Sequence, residues 1–263
     1  MAISLQSLTA PKDRAVICTI VGEGGMGKTT LAAEFPAPVF IRTEDGTASL
    51  SGRDDVALFP LAKTSQDVLD AVLALGTEQH TFQTVVLDSI TQLNTMIEQE
   101  VIASDPKNPR SINQALGGYG AGMSAVAERH RQIREAAGWL SGERGMNVVF
   151  IAHAVNETID PPDNDSYTRY SIRMHHKCVS HYSDNVDLVG FIKLKTYTRG
   201  DGDKKKAISD GQRVITCYPI ATHISKNRFG IEADLTFDQG TNPLAPHIPV
   251  LSNPTTQAAP QTA

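Results

Sequence analysis

The stretch that decides the fold is Gly22-Glu23-Gly24-Gly25-Met26-Gly27-Lys28-Thr29-Thr30. It fits the phosphate-binding pattern G-x-x-x-x-G-K-[ST] at every fixed position. The glycines of this pattern let the backbone curl so that successive N–H groups face phosphate oxygens. Lys28 would bring a positive charge to the β- and γ-phosphates, and the Thr29 hydroxyl would be a Mg²⁺ ligand. The stretch therefore predicts a site for a nucleoside triphosphate with Mg²⁺.

The residues on both sides of this loop support the match. Residues 15–21 form a nearly continuous apolar run rich in β-branched residues, which is typical of a buried strand. Residues 30–35 have a helical pattern that Pro36 ends. Strand and helix patterns alternate through the first part of the chain, and later strands form hairpins. We therefore expect an α/β fold with a mainly parallel central sheet, flanking helices and C-terminal antiparallel hairpins.

The length and composition suggest one large domain with short extensions. The 263 residues predict an N-terminal arm over 1–14, a core over 15–240 and a disordered tail over 241–263. The tail is expected because it holds five prolines and no Lys, Arg, Asp or Glu.

The net charge, the cysteine content and the lengths of the apolar runs indicate how the chain could bind nucleic acid and in which compartment it works. A net charge of −5 means that any nucleic acid must bind through local basic loops rather than the whole surface. The three scattered cysteines favour a reducing, cytoplasmic compartment over a disulfide framework. No apolar run is long enough to span a membrane.

Acidic residues at the ends of two further strand patterns are candidates for metal binding and catalysis. Asp88 follows the apolar run 84–87 and is typical of a Walker B aspartate that holds Mg²⁺, with a helix N-cap as the alternative. Glu44 follows a strand that we expect to lie next to the phosphate-loop strand. We prefer Glu44 as the group that orients the attacking water, with Asp45 and Glu23 as its competitors.

Two other positions complete the expected site. His153 ends another apolar strand pattern and is a candidate to hydrogen-bond the γ-phosphate, the alternative being a histidine bonded to backbone. Lys226 and Arg228 lie two residues apart, so on a strand they would point the same way. They could reach the γ-phosphate of another subunit, or simply form an ordinary basic turn.

Five of these segments occur in the order seen in RecA-core ATPases, and the chain resembles that family. The segments are 22–29, 40–44, 85–89, 149–153 and 226–230. The chain looks like the phage-encoded RecA-like recombination proteins that consist of little more than the ATPase core, and its Lys-Asn-Arg-Phe-Gly is similar to motifs of RadA and DnaB-type helicases.

The resemblance implies an ATPase that binds ATP between the subunits of a homo-oligomeric ring or filament. It implies that Glu44 is the catalytic glutamate and that Lys226 and Arg228 act in trans. His153 departs from the glutamine that is usual in RecA itself, but histidine can also donate a hydrogen bond.

The resemblance also implies two loops that bind single-stranded DNA, here residues 104–122 and 154–184. Basic residues interleaved with aromatics suit phosphate contact and base stacking. The candidates are Lys107, Arg110 and Tyr119 in the first loop and Tyr167, Arg169, Tyr170 and Arg173 in the second.

A zinc site is a weaker interpretation of the second loop. The candidate ligands are His175, His176, Cys178 and His181, but no second ligand couple is evident, so a helix or loop surface is preferred.

The sequence therefore favours an ATP-dependent, single-stranded-DNA-binding protein of recombination or annealing. Its tail is a candidate site for a single-strand DNA-binding protein. Two alternatives stay open: a ring-forming helicase or translocase, and a KaiC-like, nucleotide-controlled assembly module that does not use DNA.

Overall fold

The structure is a computed structural model that describes residues 4, 5, 8, 10, 13–199 and 206–252. The strands in these ranges are β1 (Ile17–Gly22), β2 (Pro38–Arg42), β3 (Ala57–Leu58), β4 (Thr84–Asp88), β5 (Asn147–Ile159), β6 (Tyr167–Ile172), β7 (Leu188–Arg199), β8 (Lys206–Thr216), β9 (Lys226–Asn227) and β10 (Leu235–Phe237). The helices are α1 (Lys28–Ala33), α2 (Ser65–Thr77), α3 (Ile90–Ser104), α4 (Ala121–Arg144), α5 (His176–Ser183) and α6 (Pro249–Ser252). Short 3-10 helices cover Thr47–Leu50, Ala115–Gly117 and Ala245–His247.

The strands form one sheet in the order β10-β8-β7-β1-β5-β4-β2-β3. The six strands from β7 to β3 pair in parallel. Strands β8 and β10 continue the sheet in antiparallel fashion, while β6 pairs with the outer half of β5 and β9 pairs with the start of β7. The expected fold class is confirmed: an α/β arrangement with a mainly parallel sheet, flanking helices and C-terminal antiparallel strands.

The central strand β1 is buried along its whole length, because the sheet has a hydrophobic core on each face. Ile17 and Val21 belong to the core on the face covered by α2, α3, α4 and α5. Cys18 and Ile20 point to the other face and pack with residues of α1 and α6. This alternation explains why the apolar run in the sequence is nearly continuous.

The strand order corrects one expectation. Strand β2, which leads to Glu44, is not adjacent to β1; it pairs with β4, and β5 lies between β4 and β1. Because all these strands are parallel, their carboxyl ends still meet at one edge of the sheet.

Two extended segments also differ from the sequence-based expectation. Strand β5 does not end at His153 but continues to Ile159 and turns back as β6, so much of the predicted loop 154–184 is a β-hairpin followed by α5.

The prediction of a disordered tail is wrong for residues 241–252. Leu244, Ile248 and Leu251 in this segment are buried in the core beside α1. Residues 253–263, most of the predicted arm and residues 200–205 lie outside the described residues. Within the described ranges, no helix has both the length and the apolar character needed to cross a membrane.

Candidate nucleotide-binding site

The phosphate loop connects β1 to α1, as expected from its sequence. Lys28 is 6% exposed, and its ammonium donates to the carbonyl oxygens of Gly22 at 3.0 Å and Glu23 at 2.7 Å. Gly27 has a φ of 92°, in the left-handed region, and a methyl group there would lie 3.0 Å from Cε1 of Phe237. The backbone therefore needs glycine at this position for its conformation and for its close packing.

The Mg²⁺ candidates Thr29 and Asp88 are in direct contact. The Thr29 hydroxyl donates to Oδ2 of Asp88 at 2.8 Å. This hydrogen bond joins the amino end of α1 to the carboxyl end of β4. Burial raises the pKa of Asp88, and the hydrogen bond from Thr29 opposes that shift. The N-cap of α3 is Ser89, whose hydroxyl accepts from the Gln92 N–H at 3.2 Å. Asp88 is thus not used as the cap, and its carboxylate faces the phosphate loop.

A network around Thr43 joins the end of β2 to the end of β4. The Thr43 N–H donates to the Asp88 carbonyl at 2.8 Å. Its hydroxyl donates to the Ser89 carbonyl at 2.7 Å and accepts from the Ser89 N–H at 2.9 Å. The peptide bond between Asp88 and Ser89 is cis. These contacts fix the position of the next residue, Glu44, relative to Asp88.

Glu44 and His153 form the second polar pair of the site. Nε2 of His153 lies 3.2 Å from Oε1 of Glu44. The hydrogen bond with His153 is the main cause that lowers the pKa of Glu44, and a hydrogen bond with Ser89 adds to it, while burial opposes the shift. Of the competitors, Asp45 is an 80% exposed partner of Arg42, and Glu23 is exposed. Of the three candidates for orienting the attacking water, Glu44 is therefore the one whose carboxylate lines the site.

These groups surround one cavity of about 430 Å³. Burial lowers the pKa of Lys28, the charge of Arg173 contributes in the same direction, and Asp88 and Glu44 oppose the shift. Three lining residues were not expected from the sequence: Gly46, Ser49 and Arg213.

The residues around this cavity fit Mg²⁺ and a triphosphate. Thr29 and Asp88 supply a hydroxyl and a carboxylate, the oxygen ligands that Mg²⁺ prefers. Because Gly27 has no side chain, the loop backbone can approach a phosphate closely at this position, and Lys28 supplies a positive charge for the phosphate oxygens.

The predicted trans-acting cations lie at the opposite end of the sheet. Lys226 pairs with Val189 near the start of β7, and its ammonium donates to the Asp184 carbonyl at 2.6 Å. Arg228 donates to Oδ1 of Asp187 at 3.1 Å. Asp187 in turn accepts from the Ile17 N–H at 3.0 Å, at the amino end of β1. The structure does not bring this pair to the phosphate loop of the same chain.

The first DNA-binding candidate loop presents one aromatic side chain fully to solvent. Tyr119 is 108% exposed and stands between glycines just before α4. Nζ of Lys177, from α5, donates to the Ser124 hydroxyl at 3.3 Å and lies close to Gly120. Lys177 was not among the residues predicted from the sequence, because only the packing of α5 against α4 brings it close to this segment. The other candidates, Lys107 and Arg110, also lie before α4.

The DNA-binding candidates of the second loop differ in how freely their side chains could contact DNA. Tyr170 is not free to stack on a base: its ring packs on Phe191 with centroids 5.2 Å apart. Arg169 is paired with Glu157 at 3.3 Å. Tyr167 begins β6 and is partly buried.

Arg173 directly follows β6, and its N–H donates to the His153 carbonyl at 2.8 Å. The hairpin is thus bonded to the nucleotide edge of the sheet.

The zinc interpretation gains no support from the part of the chain that the structure describes, where no three potential ligands come together. Burial raises the pKa of the Cys178 thiol to about 12, which disfavours the thiolate that a metal needs. Cys178 belongs to the core, and His175 is the N-cap of α5.

Comparison with known proteins identifies a family. A family model described as an AAA domain matches residues 14–229. Among solved structures, the chain is similar to the crystal structure of the RadB recombinase, with 14% sequence identity, coverage of 87% of this chain and 90% of that chain, and a TM-score of 0.48. A comparison with curated proteins gave no match.

Proposed function

The chain belongs to the AAA domain family, and we propose that this ATPase binds single-stranded DNA, acts in recombination or annealing, and hydrolyses ATP at the interfaces between its subunits. The observation that carries the proposal is the convergence of Lys28, Thr29, Asp88, Glu44 and His153 on one cavity. Three different strands (β2, β4 and β5) and the phosphate loop position these side chains, so their meeting depends on the fold.

Each residue of the cavity has a role in hydrolysis under this proposal. When bound, Mg²⁺ would neutralise charge on the β- and γ-phosphates. Thr29 and Asp88 would hold it, and Lys28 would bind the same phosphates. Glu44 would accept a hydrogen bond from the attacking water as an ionised carboxylate. The hydrogen bond with His153 holds Glu44 in place and lowers its pKa, so that it stays ionised to lower pH.

The position of Lys226 and Arg228 supports a site shared between subunits. At the far end of β1 they cannot serve the pocket of their own chain, whereas Arg228 is 57% exposed and thus accessible to a neighbouring subunit. A cation supplied in trans stabilises charge in the phosphoryl-transfer transition state.

Single-stranded DNA is proposed as the partner because of an exposed aromatic residue before α4 and the basic residues Lys177 on α5 and Arg173 after β6. Tyr119 offers an exposed face for base stacking, Lys177 lies close to the adjacent Gly120, and Arg173 connects the hairpin to His153. Buried, unbridged Cys18, Cys178 and Cys217 suit the proposed cytoplasmic location. Phage origin and a contact with a single-strand DNA-binding protein stay predictions.

The test measures ATP hydrolysis and DNA binding together. We expect single-stranded DNA to stimulate hydrolysis, and gel shifts to be stronger with ATP than without and to weaken steeply with salt. Lys28→Ala should abolish nucleotide binding and this stimulation, whereas Lys63→Ala, an exposed lysine before α2, should leave both intact.

Other outcomes would assign the alternatives. Closed rings with directional strand separation would favour a helicase or translocase. ATP-controlled assembly with no nucleic-acid binding would favour a KaiC-like module and would contradict the proposal.

A further inference from the structure

Two side chains on the β8 and β10 strands, those of Arg213 and Phe237, lie against Gly27 of the phosphate loop, and Arg213 brings a guanidinium there. Arg213 is on β8, where it pairs with Leu194 of β7 and Phe237 of β10. A methyl group on Gly27 would lie 3.1 Å from Nη1 and 3.7 Å from Cζ of Arg213. Arg213 also lines the 430 Å³ cavity. Its position is therefore fixed by the hairpin and not by the loop itself.

Among the described residues, the Arg213 guanidinium has no hydrogen-bond acceptor and no carboxylate partner. The side chain is half-buried, between the Gly27 backbone and its neighbours on the sheet. A partly desolvated guanidinium carries five N–H donors and favours an anion as partner. A planar fork of this kind matches phosphate oxygens bidentately. The Arg213 guanidinium is therefore a phosphate-binding group that lies against the phosphate loop and has no partner among the residues that the structure describes.

The position of Arg213 also indicates which phosphates it would contact. Asp88, Glu44 and His153 come from β4, β2 and β5, on one side of β1. Arg213 approaches Gly27 from the other side of β1, through β7 and β8. The residues that would handle Mg²⁺ and the attacking water define the γ-phosphate end, so Arg213 faces the opposite end of the phosphate chain.

We propose that Arg213 is a nucleotide-binding residue acting within its own chain, which donates to the α- and β-phosphate oxygens of ATP and ADP alike. This inference rests on the proposed ATPase function. It gives the site two kinds of arginine: Arg213 binds both nucleotides in cis, whereas Arg228 serves the transition state of a neighbouring subunit.

The test is the affinity for ADP and for a non-hydrolysable ATP analogue, each with Mg²⁺, measured by isothermal titration calorimetry. We expect Arg213→Ala to weaken both nucleotides by a similar factor, about 10- to 100-fold, because each loses the same charge-assisted hydrogen bonds. Arg213→Gln, which keeps part of the stem over Gly27, should weaken both in the same way and decides the matter if the alanine variant does not fold.

The matched control is Lys193→Ala. Lys193 lies on the neighbouring strand, paired with Val214, and its ammonium is 3.8 Å from Asp234. Because side chains alternate along a strand, it points to the face opposite Arg213. Its removal should leave both affinities unchanged.

The outcomes separate this inference from the proposed function. Unchanged affinities in both Arg213 variants would overturn it, and so would a loss confined to the ATP analogue, since that would place Arg213 at the γ-phosphate. If Lys28→Ala loses binding while the Arg213 variants do not, the ATPase proposal survives and this inference fails. If the unsubstituted protein binds neither nucleotide, both fail.

Discussion

At the carboxyl end of β1, Lys28 is 6% exposed and donates to two backbone carbonyls; at the amino end of the same strand, Arg228 is 57% exposed and meets the carboxylate of Asp187. The first cation is enclosed by groups of its own chain that already form a pocket. The second is displayed at the rim, beyond a strand of two residues. The contrast suggests that one end of β1 binds the nucleotide and the other end completes the pocket of a neighbouring subunit.

The largest effect is expected for Arg228→Ala. If Arg228 stabilises the transition state in trans, its removal should lower kcat by about 10³-fold or more while nucleotide affinity changes little. Steady-state hydrolysis with single-stranded DNA measures the first quantity and calorimetry the second. Arg131→Ala is the control, since Arg131 is an exposed arginine on α4 that pairs with Glu128 and Glu135.

Mixing two inactive variants tests the division between the two ends of β1. Arg228→Ala keeps an intact pocket, and Lys28→Ala keeps an intact arginine. A mixture should therefore form some interfaces that have both groups and should regain hydrolysis. A mixture that stays inactive, although the subunits exchange, would show that the comparison of the two ends is wrong.

The next effect concerns the pocket end alone. Glu44→Gln keeps the shape of the side chain but removes the charge that accepts the proton, so kcat should fall by about 10²- to 10⁴-fold with ATP binding retained. Asp45→Asn is the matched control, because this neighbouring carboxylate is 80% exposed. Equal losses in the two variants would mean that Glu44 has no special role.

A smaller effect separates two tyrosines that the sequence treats alike. Tyr119 is fully exposed, whereas Tyr170 packs on Phe191. Tyr119→Ala should weaken single-stranded DNA binding by about 1–3 kcal/mol per stacked base and leave the melting temperature unchanged. Tyr170→Ala should instead lower the free energy of unfolding by about 2 kcal/mol. Fluorescence anisotropy and thermal melting distinguish the two, and the reverse pattern would contradict the assignment.

The features that could be predicted from the sequence are mostly those encoded by residues close together in the chain. The phosphate loop is contiguous, so its match to a pattern needs no knowledge of the fold, and Asp88 stands out because it ends an apolar run. The order of parallel strands is not encoded locally, and for that reason β2 was wrongly expected beside β1. Arg213 carries no local signal either, since only the β7–β8 hairpin brings it to Gly27.

In the C-terminal tail, the sequence contains a helical apolar pattern, but the proline-rich composition of the tail favoured a prediction of disorder. Leu244, Ile248 and Leu251 have the spacing of one helical face, and the structure buries all three. The proline content around them predicted disorder instead. Likewise, residues 154–159 and 167–172 mix polar and apolar residues because much of the β5–β6 hairpin is exposed. This pattern resembles a loop when the partner strand is unknown.

The smallest predicted effect is a shift in pH dependence at the pocket end. The hydrogen bond from His153 lowers the pKa of Glu44, so His153→Ala should let that pKa rise toward its usual value. Since Glu44 must be ionised to accept a proton, the acid limb of the pH–rate profile should move to higher pH in this variant. Profiles of kcat measured from about pH 4 to 8 would detect the shift. His247→Ala, an exposed histidine near α6, serves as the control. An acid limb that stays in place or moves to lower pH would show that the hydrogen bond with His153 does not set the pKa of Glu44, and the assignment of this pair as a functional unit would then be wrong.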